Sequence, residues 1–294
     1  MSPSFGHDAW HVGHDWNEFA SVARSLLSAE PERNTLPITV LDAVIAGRFR
    51  DGSPIFGWHH DTSSIDGAFL VTPPFELIIA AASAGAAALG AQLRRDGFEV
   101  PGVNAERDVA AAFCSTYLAD DAARAQLQTH MLLYRLEQLI EPPIAAVGES
   151  RVASGADFHL CLDWFNEMRA EVGGGVTGDQ SDFVHRRIEA GLVRLWKSDD
   201  EVVSLASRAP DAAGVARIGP VYTPPRWRRR GFASAVTHAC ARDALDGGAR
   251  SVVLFTDLAN PTSNAIYQTI GFRAIGERVV LRFRAEANEL PVRD

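Results

Sequence analysis

The stretch VYTPPRWRRRGFASA, residues 221–235, takes an apolar run into Thr223-Pro224-Pro225 and then sets Arg226, Arg228, Arg229 and Arg230 directly before Gly231. Proline cannot donate to a sheet ladder and biases the residue before it toward extended backbone, so a strand should stop at the prolines. The run beyond the arginines, FASAVTHACARDALDGG, has a helical pattern that ends at Gly247-Gly248, a glycine stop. The segment therefore reads as strand, arginine turn, helix. Four like charges in five positions repel one another, so the turn is either a solvated surface or a place for an anion. A helix N-terminus supplies unpaired N–H groups and a partial positive charge, which together favour a phosphate. The amides of Arg229 through Ser234 can point into one turn, Gly231 has no Cβ to hold a pyrophosphate away, and Ala233 keeps the next position small. Arginine side chains can then reach outlying oxygens. The same Arg-x-x-Gly-x-Ala spacing also serves an ordinary strand-to-helix turn.

Working outward, ADFHLCLDWFNEMRAEV from Ala156 and SDFVHRRIEAG from Ser181 read as helices. LVRLWKS, EVVSLAS and GVARIGPVY alternate as strands before the arginine turn; SVVLFTD is a strand after its helix, TSNAIYQTIG a short helix, and FRAIGERVVLRFRA holds a last strand. The first half carries an echo. GAFLVTPP at 67–74 and IGPVYTPP at 218–225 share their ending at an offset of 151 residues, about half the chain. FELIIAAASAGAAALGAQLRRDG, after the first copy, reads as helical and lacks the arginines. A duplication with a boundary near IEPPIAAVGES, after the helical or strand pattern of HMLLYRLEQLI, gives domains 1–140 and 141–294.

The composition narrows the classes. A chain of 294 residues with 47% hydrophobic and 22% charged residues is globular and long enough for two domains. Its net charge of -9 argues against a general nucleic-acid or anionic-membrane binder. The three cysteines, Cys114, Cys161 and Cys240, fit neither a disulfide framework nor a zinc site, which points to a reducing cytoplasm. No secretory signal is visible at the N-terminus, and LIIAAASAGAAALGAQL from Leu77 is short for a span and reads as a helix packed on protein. His7, His11 and His14 with Asp8 and Asp15 could gather a metal, but Gly6 and Gly13 argue against the helix this needs, and a polar entry segment beside Trp10 and Trp16 is the plainer reading; no metal is expected.

VYTPPRWRRRGFA with DLANPTSNAIYQTIGF after it resembles the acetyl-CoA motif of the GCN5-related N-acetyltransferases, the GNAT enzymes, over much of residues 145–284. The likeness is to tandem members with a degenerate N-terminal copy. It implies an α/β fold of two GNAT-like domains, each a mixed central β-sheet flanked by helices. It also implies acetyl-CoA as cosubstrate and transfer of its acetyl group to an amine on a small molecule or peptide, by a monomer or homodimer. Under this resemblance Val221, Tyr222 and Thr223 end a splayed strand that pairs with the pantetheine arm, and Arg228, Arg229, Arg230, Gly231, Phe232, Ala233 and Ser234 surround the pyrophosphate. Asn260 and Asn264 would flank the cofactor arm, and Tyr267 would stand near the thioester sulfur as a general acid. From the residues alone, Asn260 serves equally as a helix cap and Tyr267 as a core tyrosine. Many GNAT enzymes place a glutamate base on the strand before the turn. GVARIGPVY contains none, leaving Asp163, Glu167 and His185 as candidates, each with an ordinary solvated or capping role open to it. An acyltransferase with another acyl donor or a hydroxyl acceptor, and a non-catalytic CoA-binding sensor or scaffold, are the competing readings.

Overall fold

The computed structural model describes residues 9–49, 53–61, 64–119, 121–172 and 179–284; His7 and Asp8 lie outside them. Along the first half the elements are β1 (His11–Gly13), α1 (Trp16–Ala29), α2 (Thr35–Ile45), β2 (Ile55–Asp61), β3 (Ser64–Val71), β4 (Leu77–Ala81), α3 (Ser83–Arg95), β5 (Gly102–Glu106), α4 (Arg107–Tyr117) and β6 (Ala125–Leu136). The second half repeats that succession with β7 (Glu149–Val152), α5 (Phe158–Glu171), α6 (Ser181–Glu189), β8 (Val193–Ser198), β9 (Glu201–Arg208), β10 (Val215–Tyr222), α7 (Phe232–Asp246), β11 (Ser251–Asp257), α8 (Pro261–Thr269) and β12 (Phe272–Phe283). Pairing repeats as well: β2, β3 and β4 are antiparallel neighbours with β4 parallel to β5, and β8, β9 and β10 are antiparallel with β10 parallel to β11. Among the described residues no helix is long and apolar enough to cross a membrane.

The chain divides into two compact units. One draws its described residues from Met1–Glu30, Leu36–His130 and Glu277–Asp294, the other from Pro31–Thr35 and Met131–Gly276. In the first unit the strands run β1-β2-β3-β4-β5, with Arg278 to Arg282 of β12 antiparallel along β5. The apolar positions Ala86, Leu89 and Leu93 of α3 and Val109, Ala110 and Phe113 of α4 recur at helical spacing and pack on Phe69, Val71, Leu77 and Ile79. Gly90 lets α4 come close, since a Cβ there would stand 2.5 Å from the Phe113 carbonyl oxygen.

In the second unit the order is β6-β11-β10-β9-β8-β7. One face is covered by α5 and α6, whose Cys161, Trp164, Phe165, Val184 and Ile188 pack on Val193, Leu195, Leu205 and Tyr222. The other face is covered by α7 and α8, with Val236, Cys240, Ala241, Ala244 and Tyr267 against Ala206, Ala216, Ile218, Val252 and Leu254.

Two sequence readings change. The run from Leu77 is not all helix: Leu77–Ala81 is a strand bonded on both sides, to β3 and to β5. A continuous apolar stretch with Ile78 and Ile79 suits a central strand, and the helix starts only at Ser83. The Thr-Pro-Pro echo is not a structural one either. Residues 72–74 lie between β3 and β4, whereas 223–225 lie between β10 and α7, and by order and pairing β10 corresponds to β4. The repeat resides in the elements, not in those letters.

At the start of α5, Asp157 accepts from the Ser154 amide at 2.8 Å and from Arg151 of β7 at 2.6 and 2.8 Å. The Arg151 guanidinium, with help from Ser154, holds the Asp157 carboxyl far below the usual carboxylate range. Its folded-state pKa is thus depressed, so the stabilisation is complete above the unfolded value of about 4 and is lost as pH falls below it. Asp157→Asn should cost about 1–3 kcal/mol in urea unfolding at neutral pH, with the gap to wild type closing in acid. An equal gap at both pH values would contradict this.

Candidate active site

The parallel pairing of β10 with β11 runs from Val215 opposite Ser251 to Ile218 opposite Leu254 and stops there, although β11 continues to Asp257. At the same point β10 slips against β9, from Ile218 opposite Arg208 to Val221 opposite Ala206, a bulge of one residue. Gly219, at φ 152°, and Pro220, which has no N–H, occupy it. The slip turns the strand over: Ile218 faces α7 and α8, while Tyr222, four residues on, faces α5 and α6. Beyond the bulge, Val221, Tyr222 and Thr223 form one arm of a fork whose other arm is the end of β11.

The arginine turn closes the base of that arm. Pro225 to Trp227 form a single helical turn, Arg229 and Gly231 are left-handed at φ 64° and 81°, and α7 starts at Phe232 with no side-chain cap. Alternation into the left-handed region gathers successive amides into an anion-binding concavity. The first intrahelical bond of α7 is the Ala235 amide to the Gly231 carbonyl, 3.0 Å, which leaves the amides of Phe232, Ala233 and Ser234 facing outward from the helix end. The arginines divide their work. Arg228 turns inward, donating to the Thr223 carbonyl at 2.8 Å and to both carboxylate oxygens of Glu171 on α5 at 2.6 and 2.8 Å. Arg226 and Arg230 flank Trp227, 5.9 and 4.9 Å from its ring, and Arg229 is exposed.

Across the fork, Asn260 caps α8 by accepting from the Ser263 amide at 3.0 Å. Asn264 ties α8 to the end of β11, donating to the Asp257 carbonyl at 3.1 Å, and its Oδ1 is buried without a hydrogen-bond partner among the described residues. Tyr267 is buried beside Tyr134 and Phe272 in the cluster that Val221 joins. Burial pushes its phenol up to about 12, which keeps it protonated at neutral pH.

Of the candidate bases, Asp163 is exposed and His185 pairs with Glu189 at 3.5 Å on the surface. Glu167 alone of the three meets the strand end, accepting from the Tyr222 hydroxyl at 2.8 Å. Desolvation and that carboxylate push Tyr222 up to about 12. The sequence reading missed the partnership of Glu171 with Arg228, although the spacing Glu167, Glu171 places both on one face of α5. Burial also raises Cys114 to about 11 and Cys161 and Cys240 to about 12, so none offers a thiolate at neutral pH. Among the described residues no His, Cys, Asp and Glu cluster could hold a metal; His11 instead stacks on Trp58, and Asp15 caps α1.

The equivalent place in the first unit is built differently. There β4 pairs with β5 at Leu77 and Ile78, and Ala82 alone joins it to α3. Trp10, 3% exposed, donates its indole N–H to the Gly85 carbonyl at 3.0 Å within the first turn of that helix.

Residues 160–272 match the model of the Acetyltransferase (GNAT) family. These residues are similar to a GNAT-family domain. Similar solved structures support the fold over nearly the whole chain. A GNAT-family acetyltransferase from Colwellia psychrerythraea is 15% identical with a TM-score of 0.59, over 94% of this chain and 100% of that one. A GCN5-related N-acetyltransferase from Sphaerobacter thermophilus is 15% identical with a TM-score of 0.60, over 93% and 95%. A tandem GNAT protein from the clavulanic acid biosynthesis pathway is 12% identical with a TM-score of 0.55, over 93% and 98%. No curated protein matches the chain. Two GNAT-like domains thus fit the α/β fold expected from the sequence.

Because burial raises both Tyr222 and Tyr267, replacing either by Phe should leave the tyrosinate absorbance that develops up to about pH 11 unchanged. A reduced amplitude in either variant would place that phenol in a wetter setting than the one described.

Proposed function

We propose that the chain is an acetyl-CoA-dependent N-acetyltransferase whose second unit binds the donor in the fork between β10 and β11. The observation that carries this reading is the end of β10–β11 pairing at Ile218 and Leu254 directly beside the uncapped N-terminus of α7. The amides of Phe232, Ala233 and Ser234, which precede the first intrahelical bond, suit a pyrophosphate together with the turn from Arg229, and the strand-end peptides of Val221 to Thr223 suit an amide-bearing arm. The unpaired Oδ1 of Asn264 fits a donor N–H on the same arm.

Acetyl-CoA supplies an activated thioester. In the transfer proposed, an amine nitrogen bonds to the carbonyl carbon, the carbon–sulfur bond breaks and the sulfur leaves with the electron pair. Strand-end amides stabilise charge on the carbonyl oxygen, Tyr267 gives its proton to the sulfur, and the proton lost by the amine nitrogen passes to water, from which the Tyr267 phenol is protonated again. Glu167, at the same strand end, suits a cationic acceptor by its charge. Arg229 and Arg230 would meet the outlying phosphates; Arg228 would act through Glu171 and Thr223 by fixing the turn.

Calorimetry of the full chain with coenzyme A is expected to show one site. Gly231→Asp adds a negative charge beside the helix start and sets an L side chain on a left-handed backbone against Ile144, so it should weaken binding by at least about 30-fold, whereas Arg226→Ala should lose about 10-fold or less. Equal small effects would exclude the phosphate cradle.

With acetyl-CoA and a panel of polyamines, amino acids and peptides, mass spectrometry should reveal an acetylated amine. Tyr267→Phe should then keep donor affinity and lower single-turnover transfer by roughly 10²-fold. Matched rates would make Tyr267 a packing residue only.

A further inference from the structure

Arg187, on α6, is 9% exposed and reaches the sheet at the bulge of β10, away from the anion turn. Its Nη1 donates to the Ser207 hydroxyl of β9 at 2.8 Å and to the Gly219 carbonyl of β10 at 2.9 Å, and its guanidinium stands 4.5 Å from the centre of the Phe183 ring. Gly219 is the residue at which β10 slips against β9 and leaves β11. A bulge takes a peptide group out of the ladder, and a buried carbonyl so released needs another donor. Arg187 is that donor, and through Ser207 it is referenced to the strand against which the slip is measured.

The consequence reaches Val221 to Thr223. The side-chain period of a strand is two, so losing the extra residue would turn Tyr222 from the α5–α6 face to the α7–α8 face and reverse which peptide groups point into the fork. We propose that Arg187 is a positioning residue of the acyl subsite: by holding the bulge carbonyl it fixes the strand-end amides that meet the thioester carbonyl. This rests on the acetyl-CoA reading above. Lysine cannot reproduce it, because a single ammonium lacks the planar guanidinium that lies between Ser207, Gly219 and Phe183.

The test is the infrared carbonyl band of acetyl-CoA labelled with carbon-13 at the acetyl carbonyl, bound to wild type, Arg187→Met and Arg187→Lys, beside calorimetry with unacetylated coenzyme A. Hydrogen bonding from the strand end lowers the wild-type band below that of free acetyl-CoA. In Arg187→Met the band should return toward the free value and in Arg187→Lys part of the way. Affinity for coenzyme A, held at the separate arginine turn, should stay within about threefold. A purely structural role would weaken binding of both ligands and leave the band in place. An unchanged band in whichever variant folds overturns the proposal, while failure of wild type to bind acetyl-CoA overturns the functional reading and this inference with it.

Discussion

The second unit is organised by the point where two parallel strands stop pairing. Between Val215 and Ile218 the peptide groups of β10 pair with β11, and from Ile218 to Tyr222 the strand pairs with β9 on its other side. Past Ile218 the β11 side is released. An open strand edge inside a sheet would expose unpaired peptide groups at a cost, unless something is meant to pair with them. The bulge at Gly219 and Pro220 confines that opening to the last residues of β10, and α7 begins close enough to bring its own unpaired amides to the same place. The fork and the helix end are one feature, made by the short passage from Tyr222 to Phe232.

Charge is arranged by the same geometry. An acidic chain concentrates arginines at one turn, yet the four do not act alike. Arg228 is paired with Glu171 and bound to the Thr223 carbonyl, so it braces the turn against α5. The others keep their charge outward, two of them against the Trp227 ring, whose Nε1 is buried without a partner among the described residues. An anion at the turn would meet a field from helix and side chains together, which also relieves the repulsion among the arginines.

Much of this was legible. Pro224-Pro225 ending a strand, a helix starting directly after Gly231, and Asn260 as a cap are local rules, and the structure obeys them. What escaped was non-local. The break of Leu77–Ala81 from the helix after it depends on neighbours far along the chain, because a short buried apolar run has no period to tell strand from helix. The Thr-Pro-Pro echo matched letters at unlike places in the fold, while the real repeat lies in strand order and pairing, which no short motif carries. Arg187 gave no signal in SDFVHRRIEAG; the Gly-Pro pair inside GVARIGPVY was the one visible hint of a bulge, and it did not name its partner.

Whether the fork and the α7 amides form one donor site is decided by hydrogen–deuterium exchange of the full chain, with and without saturating acetyl-CoA. Exchange should slow at the amides of 221–223 and 229–234, with residues 82–86 at the corresponding helix start of the first unit unaffected. Unchanged exchange at 229–234, or protection at 82–86 instead, would contradict a donor site in the second unit.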